Sequence, residues 1–243
     1  MRYLFVILSV VLASCKPNYT AQEIVNKSIE SSGLNKLNKS ILSFTFRDKQ
    51  YKATRDNGVF EFVRFQENDS IKIKDVLSNN GFERFINDSL AILAEKDKNR
   101  FSNSVNSVHY FSVVPLGLND SAVKKRLLES VTIKGKDYYK VEITFAEEGG
   151  GDDCDDVFIY WFTKDNFQLD YLAYKYHTNG GGVRFRDVRK EHLINGVRLV
   201  DYSNYKPKDK EIDFYTIDKI YESNMLIKVS EINLENINIE SIQ

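Results

Sequence analysis

Hydrophobic residues recur along this chain with two periods, and the places where the period changes mark its elements. Thr20-Ala21-Gln22-Glu23 has the spacing of a capping box, in which the Thr hydroxyl and the Glu carboxylate satisfy the first free amides of a helix. Ile24, Val25, Ser28 and Ile29 then fall on one helical face, and Gly33 ends the helix. Beyond it the pattern alternates, predicting strands over 41–47, 50–55, 58–65, 71–78 and 82–87. Asn57-Gly58 and Asn80-Gly81 read as tight hairpin turns, because a type I′ turn needs positive φ at both central positions. The N-terminal third is therefore expected to be an antiparallel meander.

Residues 89–129 return to helical spacing. Val105, Val108, Phe111 and Ser112 share one face of a helix over 104–114, and Pro115 and Gly117 stop it. Asn119 or Asp120 is placed to cap a second helix ending near Glu129. Strands resume over 131–134, 138–145, 157–163, 167–177, 183–189 and 196–205, with turns at 164–166 and 195–196. A short helix over 216–224 and a last strand over 229–239 complete the pattern. Residues 157–162 read Val-Phe-Ile-Tyr-Trp-Phe, apolar on both faces, whereas a sheet with one wet face alternates. Each face must be covered, or one must line a cavity. The expected class is mainly β with α insertions: a curved antiparallel half-barrel sheet, an N-terminal helix and a helical plug. The expected division is a signal peptide over 1–14, a lipidated tether over 15–20, and one half-barrel domain over 21–243 with its helical insertion at about 89–129.

The first residues lie outside this scheme. Arg2 is a short positive segment, and the apolar run from Tyr3 to Val11 suits a signal peptide but is too short to span a bilayer. Leu12-Ala13-Ser14-Cys15 then matches a lipobox, so Cys15 is expected to be lipidated after cleavage before it. At roughly 0.8 kcal/mol per buried methylene, several acyl chains give stable anchoring. The expected location is the outer membrane of a bacterial envelope. Lys16-Pro17-Asn18 after the lipidation site favours the periplasmic face over the cell surface, because surface-exposed lipoproteins often carry acids there.

With Cys15 acylated, Cys154 is the only other cysteine, so no intramolecular disulfide is expected. Its acidic neighbours disfavour a thiolate nucleophile. A formal charge of −1 gives no field to gather nucleic acid, and none is expected as a partner. The 14 tyrosines and 16 phenylalanines against three prolines agree with a sheet protein.

Two loops concentrate chemistry. Glu147 to Asp156 is acidic around a triple glycine, and His177 to Arg186 carries a second triple glycine with Arg184 and Arg186. A hairpin turning at 164–166 brings them together, with residue 157 opposite 174, in a register free to slip by a residue or two. Lys206, Lys208 and Lys210 return to the same rim. Asp152, Asp153, Asp155 and Asp156 offer hard oxygen donors for Ca²⁺, although without the alternating spacing of a calcium loop. His177, Arg184 and Arg186 are candidates for binding an anionic ligand. A solvated, self-neutralising loop with glycines at tight bends accounts for the same residues. No motif for a metalloprotease, hydrolase elbow or phosphate loop is present, and no catalytic residue is assigned. His109 reads as a satisfied core residue and His192 as a turn residue.

The segments Ser102 to Val108, Val131 to Gly135, Phe145 to Gly151, Asp156 to Trp161, Asp170 to Tyr174 and Gly180 to Arg186 resemble an uncharacterised Bacteroidota lipoprotein family with an unknown-function label. The order helix, strands, helices, strands also resembles the periplasmic lipoprotein carriers of the LolA and LppX type. That resemblance implies an open half-barrel around a hydrophobic cavity, and fold alone does not fix function. The leading expectation is a non-enzymatic, membrane-anchored envelope lipoprotein that binds a lipid or other hydrophobic ligand and needs no cofactor. The alternatives are a metal-binding or hydrolytic module at the rim formed by 147–156 and 177–186, and a structural partner in an outer-membrane protein complex.

Overall fold

A computed structural model describes residues 18–146, 155–177, 180–209 and 211–242. The expected signal peptide and lipidated Cys15 lie outside the described residues, as do Asp152, Asp153, Cys154 and Lys210.

The expected class holds: the chain is mainly β, built as two antiparallel sheets that do not close into a barrel. Sheet I is the predicted meander, β1 (Lys39–Phe46), β2 (Lys49–Asp56), β3 (Val59–Glu67), β4 (Lys72–Ser78), β5 (Gly81–Ile86) and β6 (Ser89–Leu90). The C-terminal β15 (Glu235–Ser241) adds to β1, giving the order β15-β1-β2-β3-β4-β5-β6. Sheet II contains β7 (Val123–Leu127), β8 (Val131–Ile133), β9 (Lys136–Phe145), β10 (Val157–Thr163), β11 (Leu169–Tyr176), β12 (Gly182–Ile194), β13 (Val197–Pro207) and β14 (Leu226–Ile232). Its order is β14-β13-β12-β11-β10-β9-β7, with β8 paired to β9.

Asn57-Gly58 forms the expected turn, both residues at positive φ between partners Asp56 and Val59. At the β4–β5 hairpin the loop is Asn79-Asn80, because Ser78 pairs with Gly81, and of these residues Gly81 alone takes positive φ. The glycine there is the first residue of β5, outside the two-residue turn.

Three expectations need correction. The second helix before Glu129 is a strand: β7 pairs with β9, Lys125 opposite Ile143. The capping chemistry of Asp120 is spent locally, its carboxylate accepting from the Ala122 amide at 3.0 Å. An available edge on β9 outweighs the helical propensity of Lys124 and Lys125. The single strand over 229–239 is two strands in different sheets, β14 and β15. Asn233 and the buried Leu234 carry the chain across, the Leu234 amide donating to Asp201 Oδ1 at 2.8 Å. Alternation persists through such a crossing, so the pattern alone does not reveal it. His192 lies on β12, not in a turn, 3.0 Å from Asp201 Oδ1.

Helix α1 (Ala21–Ser31) has the predicted capping box: the Glu23 amide donates to Thr20 Oγ1 at 3.2 Å, and the Thr20 amide donates to Glu23 Oε2 at 2.8 Å. Its buried Ile24, Val25 and Ile29 join Leu42 and Ala53 of sheet I and Val141, Ile143, Tyr160 and Leu172 of sheet II in one core between the sheets. Each such aliphatic side chain contributes roughly 1.5–3 kcal/mol on burial. Strand β10 is covered on both faces. Phe158, Tyr160 and Phe162 face this core, while Ile159 and Trp161 face a second cluster with Phe214, Ile217 and Tyr221. That cover is a 3-10 turn (Phe214–Thr216), which begins two residues before the predicted helix, and α3 (Ile217–Glu222), which falls inside the predicted 216–224. Buried Lys140 fastens it, its ammonium 3.1 Å from Asp218 Oδ2 and donating to the Tyr215 carbonyl at 2.6 Å.

Candidate ligand-binding clefts around helix α2

Helix α2 (Glu95–Ser112) is the helical insertion, longer than its apolar stripe suggested, and it packs across β3, β4 and β5. Polar groups fix it there. Asp75, buried on β4, receives two arginines: Arg64 Nη2 at 2.6 Å and Arg84 Nε at 2.6 Å. Arg64 Nη1 also donates to Ser104 Oγ on α2 at 2.7 Å, and the Arg84 guanidinium lies 3.4 Å from the centre of the Phe101 ring. One turn further on, fully buried His109 sits 3.2 Å from the Val63 carbonyl through Nε2 and stacks on Phe62 at 4.7 Å. Burial first, and the positive charge of Arg55 second, push the imidazole down to about 3, so it is neutral with its proton on Nε2. His109 is thus the core residue that the sequence suggested.

The opposite side of α2 reaches sheet II without filling the space. Phe111 meets Phe158 of β10 at 6.4 Å between ring centres and Tyr174 of β11 at 5.4 Å, and Tyr110 Oη lies 3.2 Å from Tyr160 Oη. A cleft remains on each side of this contact, and Phe111 and Phe158 line both. The larger, about 650 Å³, has walls from Phe60, Phe62, Tyr110, Val113 and Phe145, with Arg55 among them. The smaller, about 350 Å³, is bounded by Phe46, Val108, Tyr174, Tyr202 and Ile232, with Asp156, Arg184 and Arg186 as its charged groups. Both volumes lie in the range of about 300–1,000 Å³ usual for small-molecule sites.

The smaller cleft carries the predicted rim residues. Arg186 is almost buried, donates from Nη2 to Tyr174 Oη at 3.1 Å, and lies 3.9 Å from the Phe111 ring centre. Its Nε is buried with no partner among the described residues. Arg184, two residues away on the same face, donates to the Val183 carbonyl at 2.9 Å. Burial holds the Tyr202 hydroxyl up at about 12. Asp156 is buried, and burial raises its carboxyl above the usual range against the opposing hydrogen bonds from His177. The His177 amide donates to Asp156 Oδ1 at 3.1 Å, with the ring Nδ1 at 3.4 Å. The β10–β11 hairpin that brings these together pairs Val157 with Lys175, one residue from the expected register. Asp155 is exposed, as are Lys206 and Lys208. Among the described residues no group of three or more His, Cys, Asp or Glu side chains is placed to hold a metal ion. No described helix is long and apolar enough to cross a membrane.

Arg55 was missed as a site residue, although the signal was present: Tyr51, Ala53 and Arg55 alternate on one face of β2, and the first two are buried core. Period two thus places a cation on an inward face.

The fold is similar to that of a LolA superfamily protein from Nitrosomonas europaea, with a TM-score of 0.52 and 12% identity over 92% of this chain and 93% of that one. It is equally similar, with a TM-score of 0.52 and 11% identity, to a DUF1329 family protein from Desulfovibrio piger ATCC 29098, over 91% of this chain and 93% of that one. At these identities the likeness is one of fold, and the expected LolA-type architecture is observed. A family model described as a family of unknown function (DUF6503) matches residues 2–234. No curated protein sequence matches significantly.

Proposed function

The chain belongs to the DUF6503 family, and from that premise we propose that it is a membrane-anchored envelope lipoprotein that binds a lipid or other hydrophobic ligand between its sheets, without catalysing a reaction. The observation that carries this reading is the pair of aromatic-lined clefts, about 650 and 350 Å³, left open on either side of α2. Open clefts of this size with largely aromatic walls lie in the range usual for small-molecule sites and suit an apolar occupant. The LolA-like fold supports the same reading by analogy. The lipobox ending at Cys15 supports the tether, and Lys16-Pro17-Asn18 after it favours the periplasmic face of the outer membrane.

Organic extraction of protein purified from its native membrane, followed by mass spectrometry, is expected to release a stoichiometric apolar compound. Clean protein that also fails to bind a solvatochromic apolar probe removes the proposal. Cys15→Ser is expected to move the protein from the membrane to the soluble fraction; retention in the membrane would dispose of the tether.

A second reading rests on the Asp156–His177 contact, which puts a carboxylate and an imidazole together at the rim of the smaller cleft. A metal-binding module there predicts a calcium-dependent rise in Tm that Asp156→Asn abolishes.

A further inference from the structure

The larger cleft has aromatic walls, a polar edge with Asn38, Asn106, Asn119 and Asp120, and a single cation, Arg55. Arg55 stands on the inward face of β2 with its guanidinium 4.8 Å from the Phe62 ring centre. Its Nη1 is out of contact with solvent, and Arg55 makes no hydrogen bond or ion pair with any described residue. Two buried arginines are ion-paired, Arg64 with Asp75 and Arg198 with Glu191 at 2.6 Å, and Arg186 of the smaller cleft has the Tyr174 hydroxyl as a hydrogen-bond partner. Asp120, the carboxylate that lines the same cleft, is held by the Ala122 amide and lies beyond ion-pair distance of Arg55. The neighbouring His109 is neutral and offers no negative charge. Burial alone draws the Arg55 guanidinium down to about 10, with no acid opposing the loss of water. A charge left in this state is costly, and proteins normally give it a partner.

We propose that the larger cleft binds an amphiphile with an oxyanion head group, carboxylate or phosphate, whose head pairs with Arg55 while its apolar part lies along Phe60, Phe62, Phe145 and Phe158. The inference rests on the hydrophobic-ligand reading and adds the class of head group to it. Geometry favours it twice: the guanidinium fork matches a planar or tetrahedral oxyanion, and the aromatic walls begin where the cation ends. An anion entering this cleft meets a site whose positive charge is already desolvated, so pairing there is stronger than in water.

The test uses the full chain and matched probes: dodecanoic acid, dodecyl phosphate, dodecanol, acetate and inorganic phosphate, titrated by calorimetry at pH 8. Both long-chain acids are expected to bind at least about tenfold more tightly than dodecanol, and acetate and inorganic phosphate far more weakly. Arg55→Met is expected to erase the acid preference while dodecanol still binds, and Arg55→Lys to keep most of it. Equal binding of acid and alcohol by the unaltered chain overturns the inference and leaves the hydrophobic-ligand reading standing. Acid preference that survives in a folded Arg55→Met protein also overturns it. Short anions binding as tightly as the long-chain acids would make this an anion site and remove the amphiphile. Failure of every long-chain probe to bind defeats the hydrophobic-ligand reading itself. The comparison of acid with alcohol needs no variant, so a misfolded Arg55→Met protein does not blunt it.

Discussion

The guanidinium of Arg186 lies 3.9 Å from the centre of the Phe111 ring, and through this contact the helix that separates the two clefts is held against sheet II. Phe111 comes from α2 and Arg186 from β12, so the contact ties the insertion to sheet II beside the Tyr110–Tyr160 hydroxyl pair at 3.2 Å. Phe111 also borders both clefts, and with Phe158 it forms the partition between them.

Removing that partition has two expected effects. Phe111→Ala deletes a half-buried ring and the cation–π contact, costing about 1–3 kcal/mol of stability. It also joins the two clefts, so the variant is expected to bind bulkier apolar probes more tightly than the parent. Urea denaturation and a probe series of increasing size measure both; unchanged stability with an unchanged size limit would deny Phe111 this role.

Asp75 holds two arginines and, through Arg64, the helix. Asp75→Ala leaves two guanidinium groups at a nearly dry site without their counter-charge, an expected loss of about 3–5 kcal/mol. The release of α2 from sheet I is expected to appear as faster amide exchange over residues 95–112. Slow exchange there, in a variant that has lost stability, would mean the helix is held by its apolar face alone.

The end of α1 and the β12–β13 turn meet at two glycines. Gly33 has φ +65°, and a Cβ built there falls 2.0 Å from the Gly196 carbonyl oxygen, a backbone atom that cannot step aside alone. Gly33→Ala combines left-handed strain with this clash, and the expected cost is at least about 2 kcal/mol. Arg198, whose amide donates to the Ser32 carbonyl at 2.8 Å, should lose protection in the same variant. A thermal melt within a degree of the parent's would contradict this close approach.

His109 makes stability depend on pH. In the folded chain its pKa is held near 3 by burial, with Arg55 and Arg64 adding to the effect, while the unfolded chain titrates near the ordinary imidazole value of 6.5. Below that value the unfolded state takes up a proton that the folded state refuses. The stabilising contribution is therefore complete above about 6.5 and is lost as pH falls toward 3, with a slope of up to ~1.4 kcal/mol per pH unit. His109→Gln is expected to be less stable at neutral pH yet to show a shallower decline between pH 6.5 and 4. Urea midpoints at several pH values give the slope, and parallel slopes in parent and variant would exclude His109 as its source.

Much of the fold was written locally. The capping box at Thr20 and Glu23, the meander of sheet I, the Asn57-Gly58 turn and the two-faced apolar strand 157–162 are each set by side-chain period or turn stereochemistry within a few residues. The rim chemistry was partly legible for the same reason: hairpin pairing brings Asp156 to His177, and period two puts Arg184 and Arg186 on one face. Where the local signal was ambiguous, the partner decided. Residues 123–127 became a strand because β9 offered an unpaired edge, and 229–239 split because Leu234 is buried where the chain changes sheets.

What the sequence by itself determined is the identity of the strands, the first helix and the side of each strand that is apolar, because those depend on neighbours along the chain. Only the tertiary structure decided that there are two sheets, that α2 lies between them, and that Phe111 and Phe158 divide the space left over. Those outcomes depend on contacts between residues far apart in sequence, such as Arg186 with Phe111 and Arg64 with Ser104. A cavity is the volume that such contacts fail to fill, and no local pattern encodes it.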